Sequence, residues 1–208
     1  MTTPEQRTTL ARLGAATLGE SGGRAMRARI HAVWPGAAVV GEAVPVRCTP
    51  GDNLALHVAA ATADPGTVLV VAIAGQPELG HWGEVLTTGA QARGIAGLVI
   101  DGGVRDVAAL ERLGFPVFAT GLALKGAQKV AEGSVGQPVV VGEVVVEAGD
   151  VVVADGDGVT VVPGAALAEV LAAGEAREAK EAAMFEQLRS GRTTLELLGL
   201  DDSPIARE

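Results

Sequence analysis

The sequence of 208 residues has no tyrosine, three phenylalanines and two tryptophans, so its apolar content is carried mainly by Ala, Val and Leu. A core of that kind packs through small side chains, and the 29 glycines imply many tight turns. Cys48 is the single cysteine, which excludes an intrachain disulfide framework and a multi-cysteine metal site and points to a reducing compartment. It reads as a small buried apolar residue. No apolar run approaches the roughly 18 residues needed to span a bilayer. Residues 1–7 contain no apolar segment either, so the expected setting is cytoplasmic, with no membrane partner. Basic clusters are missing as well. With a net charge of -9 and no surface onto which phosphates could release counterions, nucleic acid is not an expected partner.

What is present alternates between helix and strand signals. Residues 6–13 and 15–19 suit two short helices, forming a helical arm over about residues 1–30. Residues 37–46 suit a strand, 54–63 a helix stopped by Asp64, Pro65 and Gly66, and 68–73 a buried strand. A loop over 74–80, a helix over 82–93, a strand over 97–100 and a helix over 106–113 complete a βαβα unit. Such alternation predicts an α/β fold with a mixed, partly parallel sheet, whose sites lie just beyond Ile73 and Ile100. Val-rich strands follow over 138–146, 151–154 and 159–162, the last two joined by the Asp155-Gly156-Asp157-Gly158 turn. That turn lacks the further ligands of a calcium loop. A long helix is expected over about 165–190, and at roughly 36 Å it outreaches a domain radius, so part of it is expected on a neighbouring subunit. The whole chain, residues 1–208, reads as a single domain.

The stretch 97–106, Gly-Leu-Val-Ile-Asp-Gly-Gly-Val-Arg-Asp, is the most informative, together with 75–86. Gly102 and Gly103 permit close backbone approach, and Arg105 and Asp106 place opposite charges in one small space at a helix start. One reading makes Asp106 a helix cap and Arg105 a surface charge or the partner of a nearby carboxylate. The other has Arg105 bind an anionic or enolate oxygen while Asp106 ligates a hard divalent cation. Glu84, in the first turns of the preceding helix, is either a solvent-facing residue or part of a site in which the amides of Val85 and Leu86 bind a carboxylate.

An acidic residue, twenty intervening residues and then Arg-Asp, here Glu84, Arg105 and Asp106, is the pattern of aldolase-competent RraA-like proteins. The runs 50–57, 82–114 and 149–163 resemble that family too, particularly the pyruvate aldolases acting on 4-hydroxy-4-methyl-2-oxoglutarate or 4-carboxy-4-hydroxy-2-oxoadipate. The resemblance covers about residues 37–200. It implies an α/β sandwich related to swivelling phosphohistidine-type domains, assembled as homotrimers or hexamers with sites between subunits. It implies metal-dependent retro-aldol cleavage of 4-hydroxy-2-oxo di- or tricarboxylates to pyruvate, with oxaloacetate decarboxylation as a side activity. Asp106 would then be the direct ligand of Mg²⁺ or Mn²⁺, with Glu84 and Glu181 acting through water, the latter from a neighbouring subunit. Arg105 would contact the keto oxygen, and the Val85 and Leu86 amides the pyruvyl carboxylate. The family's first acidic position is often Asp, and Glu84 keeps the charge on a side chain one methylene longer.

A lysine Schiff base is the competing aldolase route, but the three lysines, Lys125, Lys129 and Lys180, do not follow an expected buried strand. His57 and His81 read mainly as packing residues, each near enough to touch substrate or phosphate. Trp34 and Trp82 read as core. Members of the family without the acidic motif regulate an RNA-degradation enzyme, which makes a non-enzymatic interaction module the alternative function.

Overall fold

The computed structural model describes residues 2–73 and 78–206. Helix α1 (Pro4–Gly19) opens on a capping box in which Thr3 and Gln6 each accept from the other's backbone amide. Gly14, at φ 75° and ψ 169°, bends α1, so the two short helices expected here are its two arms. Two short strands, β1 (Arg24–Ala25) and β2 (His31–Ala32), precede β3 (Val39–Cys48) and α2 (Leu54–Thr62). The chain continues through β4 (Thr67–Ile73), β5 (Gly80–Trp82), α3 (Glu84–Ala92), β6 (Gly97–Val104), α4 (Val107–Leu113) and β7 (Val117–Leu122). After β8 (Gly133–Val135) come two antiparallel hairpins, β9 (Val139–Val141) with β10 (Val144–Val146) and β11 (Val151–Asp155) with β12 (Gly158–Val162). Helices α5 (Leu167–Arg189) and α6 (Thr194–Leu198) end the described chain.

The main sheet runs β1-β12-β11-β3-β4-β6-β7-β2, with β5 against β6 and β8 against β3. Its β3-β4-β6-β7 half is parallel and its β1-β12-β11 half antiparallel. The alternating faces of the strands explain three apolar clusters. Val46, Leu69, Val71, Leu98 and Val117 face α2 to α4, while Val151, Val153 and Val162 face Leu10, Leu13 and Leu18 of α1 and Val170 of α5. On the other face Val68, Val70, Val99, Val152 and Val161 meet the β9–β10 hairpin, Met26 and Ile30. Strand β4 is covered on both faces and paired on both edges, which is why it reads as one apolar run.

Three segments differ from the sequence reading. Residues 138–146 form a hairpin rather than one strand, because Gly142 and Glu143 take positive φ (55° and 67°) and turn the chain. Strand β6 continues through Gly102 and Gly103 to Val104, with an irregularity in its pairing to β7. Trp82 ends strand β5 instead of starting a helix, and its buried ring stacks on Phe115 at 5.9 Å. Cys48 is buried as expected, and desolvation pushes its thiol up to about 11. Within α5 the buried positions are Val170 and Gly174, and the residues after them are half-buried or exposed. Among the described residues no helix is long and apolar enough to cross a membrane.

Candidate active site

Strand β6 ends at Val104, and the next two residues reach the surface beside the start of α3. Arg105 is held by its own amide, which donates to the Trp82 carbonyl (2.9 Å), and its guanidinium lies 3.5 Å from the Leu124 carbonyl. Glycines make room for this side chain: a Cβ at Gly80 would come within 3.1 Å of Arg105 Cδ, and one at Gly126 within 3.4 Å of Nη1. Asp106 stands at the N-cap position of α4 but does not cap that helix. Its backbone is left-handed (φ 62°, ψ 35°), a conformation costly for a non-glycine residue. The side chain instead crosses to α3, where Oδ2 accepts the Glu84 amide at 3.0 Å and lies 3.7 Å from Arg105 Nε. A Cβ at Gly83 would overlap Asp106 Oδ2, so the N-cap of α3 must be glycine for this approach. Among the described residues Asp106 Oδ1 has no hydrogen-bond partner.

Because Glu84, Val85 and Leu86 open α3, their amides precede its first internal hydrogen bond, Thr87 N–H to the Gly83 carbonyl. Asp106 takes the first of these amides, which leaves Val85 and Leu86 to face a cavity of about 240 Å³. Arg105 and Asp106 line that cavity together with Asn53, His57, His81, Trp82, Gly126, Ala127 and Lys129. The Glu84 carboxylate turns outward to Arg112, at 2.7 Å. The expected loop over 74–80, and with it the position just after Ile73, falls largely on 74–77, outside the described residues.

Glu181 is not brought to this cavity within one chain. It pairs with Arg177 at 2.8 Å on α5 and lines a different groove, beside Glu20 and Asp157. Lys125 and Lys129 both lie in the loop after β7, a buried strand absent from the expected elements, and Lys129 lines the cavity.

Asn53, His57, His81 and Lys129 are the wall residues that the sequence reading passed over or took mainly for packing. Asn53 and His57, one turn apart at the start of α2, are the spacing that could have flagged them. Among the described residues Asn53 Oδ1, His57 Nε2 and both ring nitrogens of His81 are buried without hydrogen-bond partners, although the Asn53 amide group donates to the His81 carbonyl at 2.7 Å. Desolvation holds both imidazoles below the usual histidine range; Lys129 adds to this at His57. The backbone of Leu79 and Gly103 and the Asp52 carboxylate oppose the shift at His81 without reversing it; the backbone groups lie near the ring but outside hydrogen-bonding geometry.

A cationic side chain, a carboxylate and helix amides without an intrahelical partner thus meet beyond a parallel strand of a mixed α/β sheet, where ligands of open α/β folds lie. The profile of the RraA-like family, described as Aldolase/RraA, matches residues 13–161. The chain belongs to that family. It is 36% identical over 162 residues to a protein of Halalkalibacterium halodurans named "Putative 4-hydroxy-4-methyl-2-oxoglutarate aldolase", a match covering 76% of this chain and 77% of the relative. An uncharacterised protein of Pseudomonas syringae pv. tomato superposes with a TM-score of 0.83 at 29% identity, over 92% of each chain. Streptomyces coelicolor RraAS2, described as an unusual member of the RNase ES inhibitor RraA protein family, superposes at 0.75 with 30% identity, over 92% of this chain and 98% of its own. Both structures carry the same mixed α/β fold.

Proposed function

We propose that this protein is a carbon–carbon lyase that cleaves 4-hydroxy-2-oxo di- or tricarboxylates into pyruvate and a second oxo acid. The observation that carries the reading is the convergence of Arg105, Asp106 and the open end of α3 on one small cavity. Its volume of about 240 Å³ lies below the roughly 300–1,000 Å³ of pockets for larger ligands, and suits a compact oxo acid. In the cleavage the C4 hydroxyl loses its proton and the C3–C4 pair flows toward the C2 oxygen. The resulting enolate is protonated at C3 to give pyruvate. Arg105 would neutralise the C2 oxygen as its charge grows, which lowers the barrier because the donor is fixed beforehand. The amides of Val85 and Leu86 would hold the pyruvyl carboxylate.

The site also fits a hard divalent cation, Mg²⁺ or Mn²⁺. Asp106 would hold it directly through Oδ1, and Glu84 through water once it leaves Arg112. Such an ion supplies Lewis-acid charge beside the keto oxygen. Among the described residues no group of three or more His, Cys, Asp and Glu could hold a metal, so waters and substrate would complete its coordination. Decarboxylation of oxaloacetate passes through the same enolate and belongs to this reading as a side activity.

Assembly as homotrimers or hexamers is part of the proposal. The exposed Phe185 of α5 and Leu198 of α6 support packing on another copy, and Glu181 could then approach a neighbour's site through water. The likeness to RraAS2 favours one other reading, a regulator that binds an RNA-degradation enzyme. Pyruvate release from 4-hydroxy-4-methyl-2-oxoglutarate and from oxaloacetate, with Mg²⁺ and with excess EDTA, decides between them. Turnover that needs both metal and Asp106 supports the lyase. No pyruvate from either substrate transfers the case to the regulator.

A further inference from the structure

Asp52 has no part in the chemistry above, yet its carboxylate is fully engaged while only 4% of the residue is exposed. Oδ1 accepts the Leu54 amide at 2.8 Å, and Oδ2 accepts the amides of Val130 and Ala131 at 2.6 and 3.0 Å. Burial opposes the charge, but these three amides and the Lys129 ammonium outweigh it and hold the carboxyl below its usual range. The two distant amides belong to the segment 123–132, which joins β7 to β8 and supplies Gly126, Ala127 and Lys129 to the cavity wall.

How that segment is fastened changes along its length. Its first part is tied by backbone, Ala123 N–H to the Val104 carbonyl (2.9 Å) and Gly80 N–H to the Lys125 carbonyl (2.8 Å). A reciprocal pair follows, Asn53 N–H to the Gln128 carbonyl (2.9 Å) and Gln128 N–H to the Gly51 carbonyl (2.8 Å). Beyond Gln128 the amides turn to the Asp52 side chain, and the next tie is Thr49 Oγ1 to the Glu132 carbonyl (2.6 Å). Apolar burial does not hold the turn, since Val130 is 80% exposed.

We infer that Asp52 is a positioning residue whose carboxylate latches the turn 129–131 to the start of α2, keeping Lys129, its ammonium 3.4 Å from the Ala127 carbonyl, in the wall of the cavity that Arg105 also lines, as a second positive charge. The inference rests on the oxo-acid reading only in taking the ligand to be an anion. A latch of this kind acts on a segment of low local stability: released amides would bond to water, and the sheet beneath would stay intact.

Oxalate, a planar dianion resembling the pyruvate enolate, is the probe, titrated calorimetrically with Mg²⁺ present. Asp52→Asn is expected to speed amide hydrogen exchange across 128–132 by about tenfold or more, with β4 and β6 unchanged, and to weaken oxalate about tenfold. Lys129→Met should weaken oxalate by a similar factor while the segment stays protected. The double variant should bind no worse than the weaker single one, because displacing the ammonium and deleting it have the same consequence. Asp52→Glu, which keeps the charge, should recover part of the protection. Effects that multiply in the double variant, or unchanged exchange in Asp52→Asn, would overturn the latch. If the wild type binds no oxalate, the oxo-acid reading is what fails, and the exchange rates alone then decide for or against the latch.

Discussion

Two aspartates on opposite halves of the sheet are used in opposite ways. Asp150, before β11, is buried and saturated: Oδ2 accepts from Arg24 (2.7 Å) and the Glu147 amide (3.1 Å), and Oδ1 from the Gly164 amide (3.1 Å). Asp106, after β6, is exposed, left-handed and bonded through one oxygen. Among the described residues Asn53, His57 and His81 around it keep buried polar atoms without partners, whereas on the Asp150 side Arg24 Nε is the comparable orphan. A saturated carboxylate holds chain segments together. An unsaturated one, kept in a strained backbone beside other unmet donors and acceptors, is available to a ligand.

Substitution sharpens this contrast most at Asp106. Asp106→Ala is expected to cut pyruvate release by about a thousandfold, as loss of a group acting in the transition state does, with Tm moving by about 3 °C or less. Gly83→Ala tests the same corner through the backbone. Its added Cβ would displace Asp106, and we expect about a hundredfold loss of kcat/KM in steady-state assays. Asp150→Ala should reverse the pattern, leaving two amides and Arg24 without their acceptor and costing about 2–4 kcal/mol in urea unfolding. Turnover per folded molecule should then be unchanged.

Acid separates the regions more gently. His57 and His81 have folded pKa values below the ordinary 6.5, so the unfolded chain binds more protons as pH falls past 6.5. Their contribution to stability is complete above that pH and is lost on acidification toward the folded values. Asp52, depressed from 3.8, adds a loss only at lower pH. Chemical unfolding between pH 5 and 8 should show stability rising with pH, and a His57→Gln, His81→Gln variant should flatten the slope. The smallest effect belongs to Arg112→Ala. Its pair with Glu84 is solvent-exposed, so stability should change by less than about 1 kcal/mol in the same assay.

Much of the scaffold was legible because it depends on local pattern. The apolar run of β4, the stop at Asp64, Pro65 and Gly66, and the β11–β12 hairpin at Asp155 to Gly158 are found where chain chemistry puts them. Strands β7 and β8 were not marked, and with β7 unseen the loop carrying Lys129 had no recognised position. The pairing of Glu84, Arg105 and Asp106 as a motif was readable, but their actual contacts were not. Glu84 meets Asp106 through its amide and turns its carboxylate to Arg112.

The residues by themselves determined the α/β alternation, the acidic and aromatic-poor character, and the Arg-Asp pair at the end of a strand. These follow from side-chain period and turn chemistry over short spans. Only tertiary structure decided which polar groups would be left without partners. Asn53 with His57, then His81, then Lys129 come from three separate segments, and β3, β5 and β7 carry them to one end of the parallel strands. Burial and hydrogen-bond geometry are properties of that meeting, and no local stretch of sequence contains them.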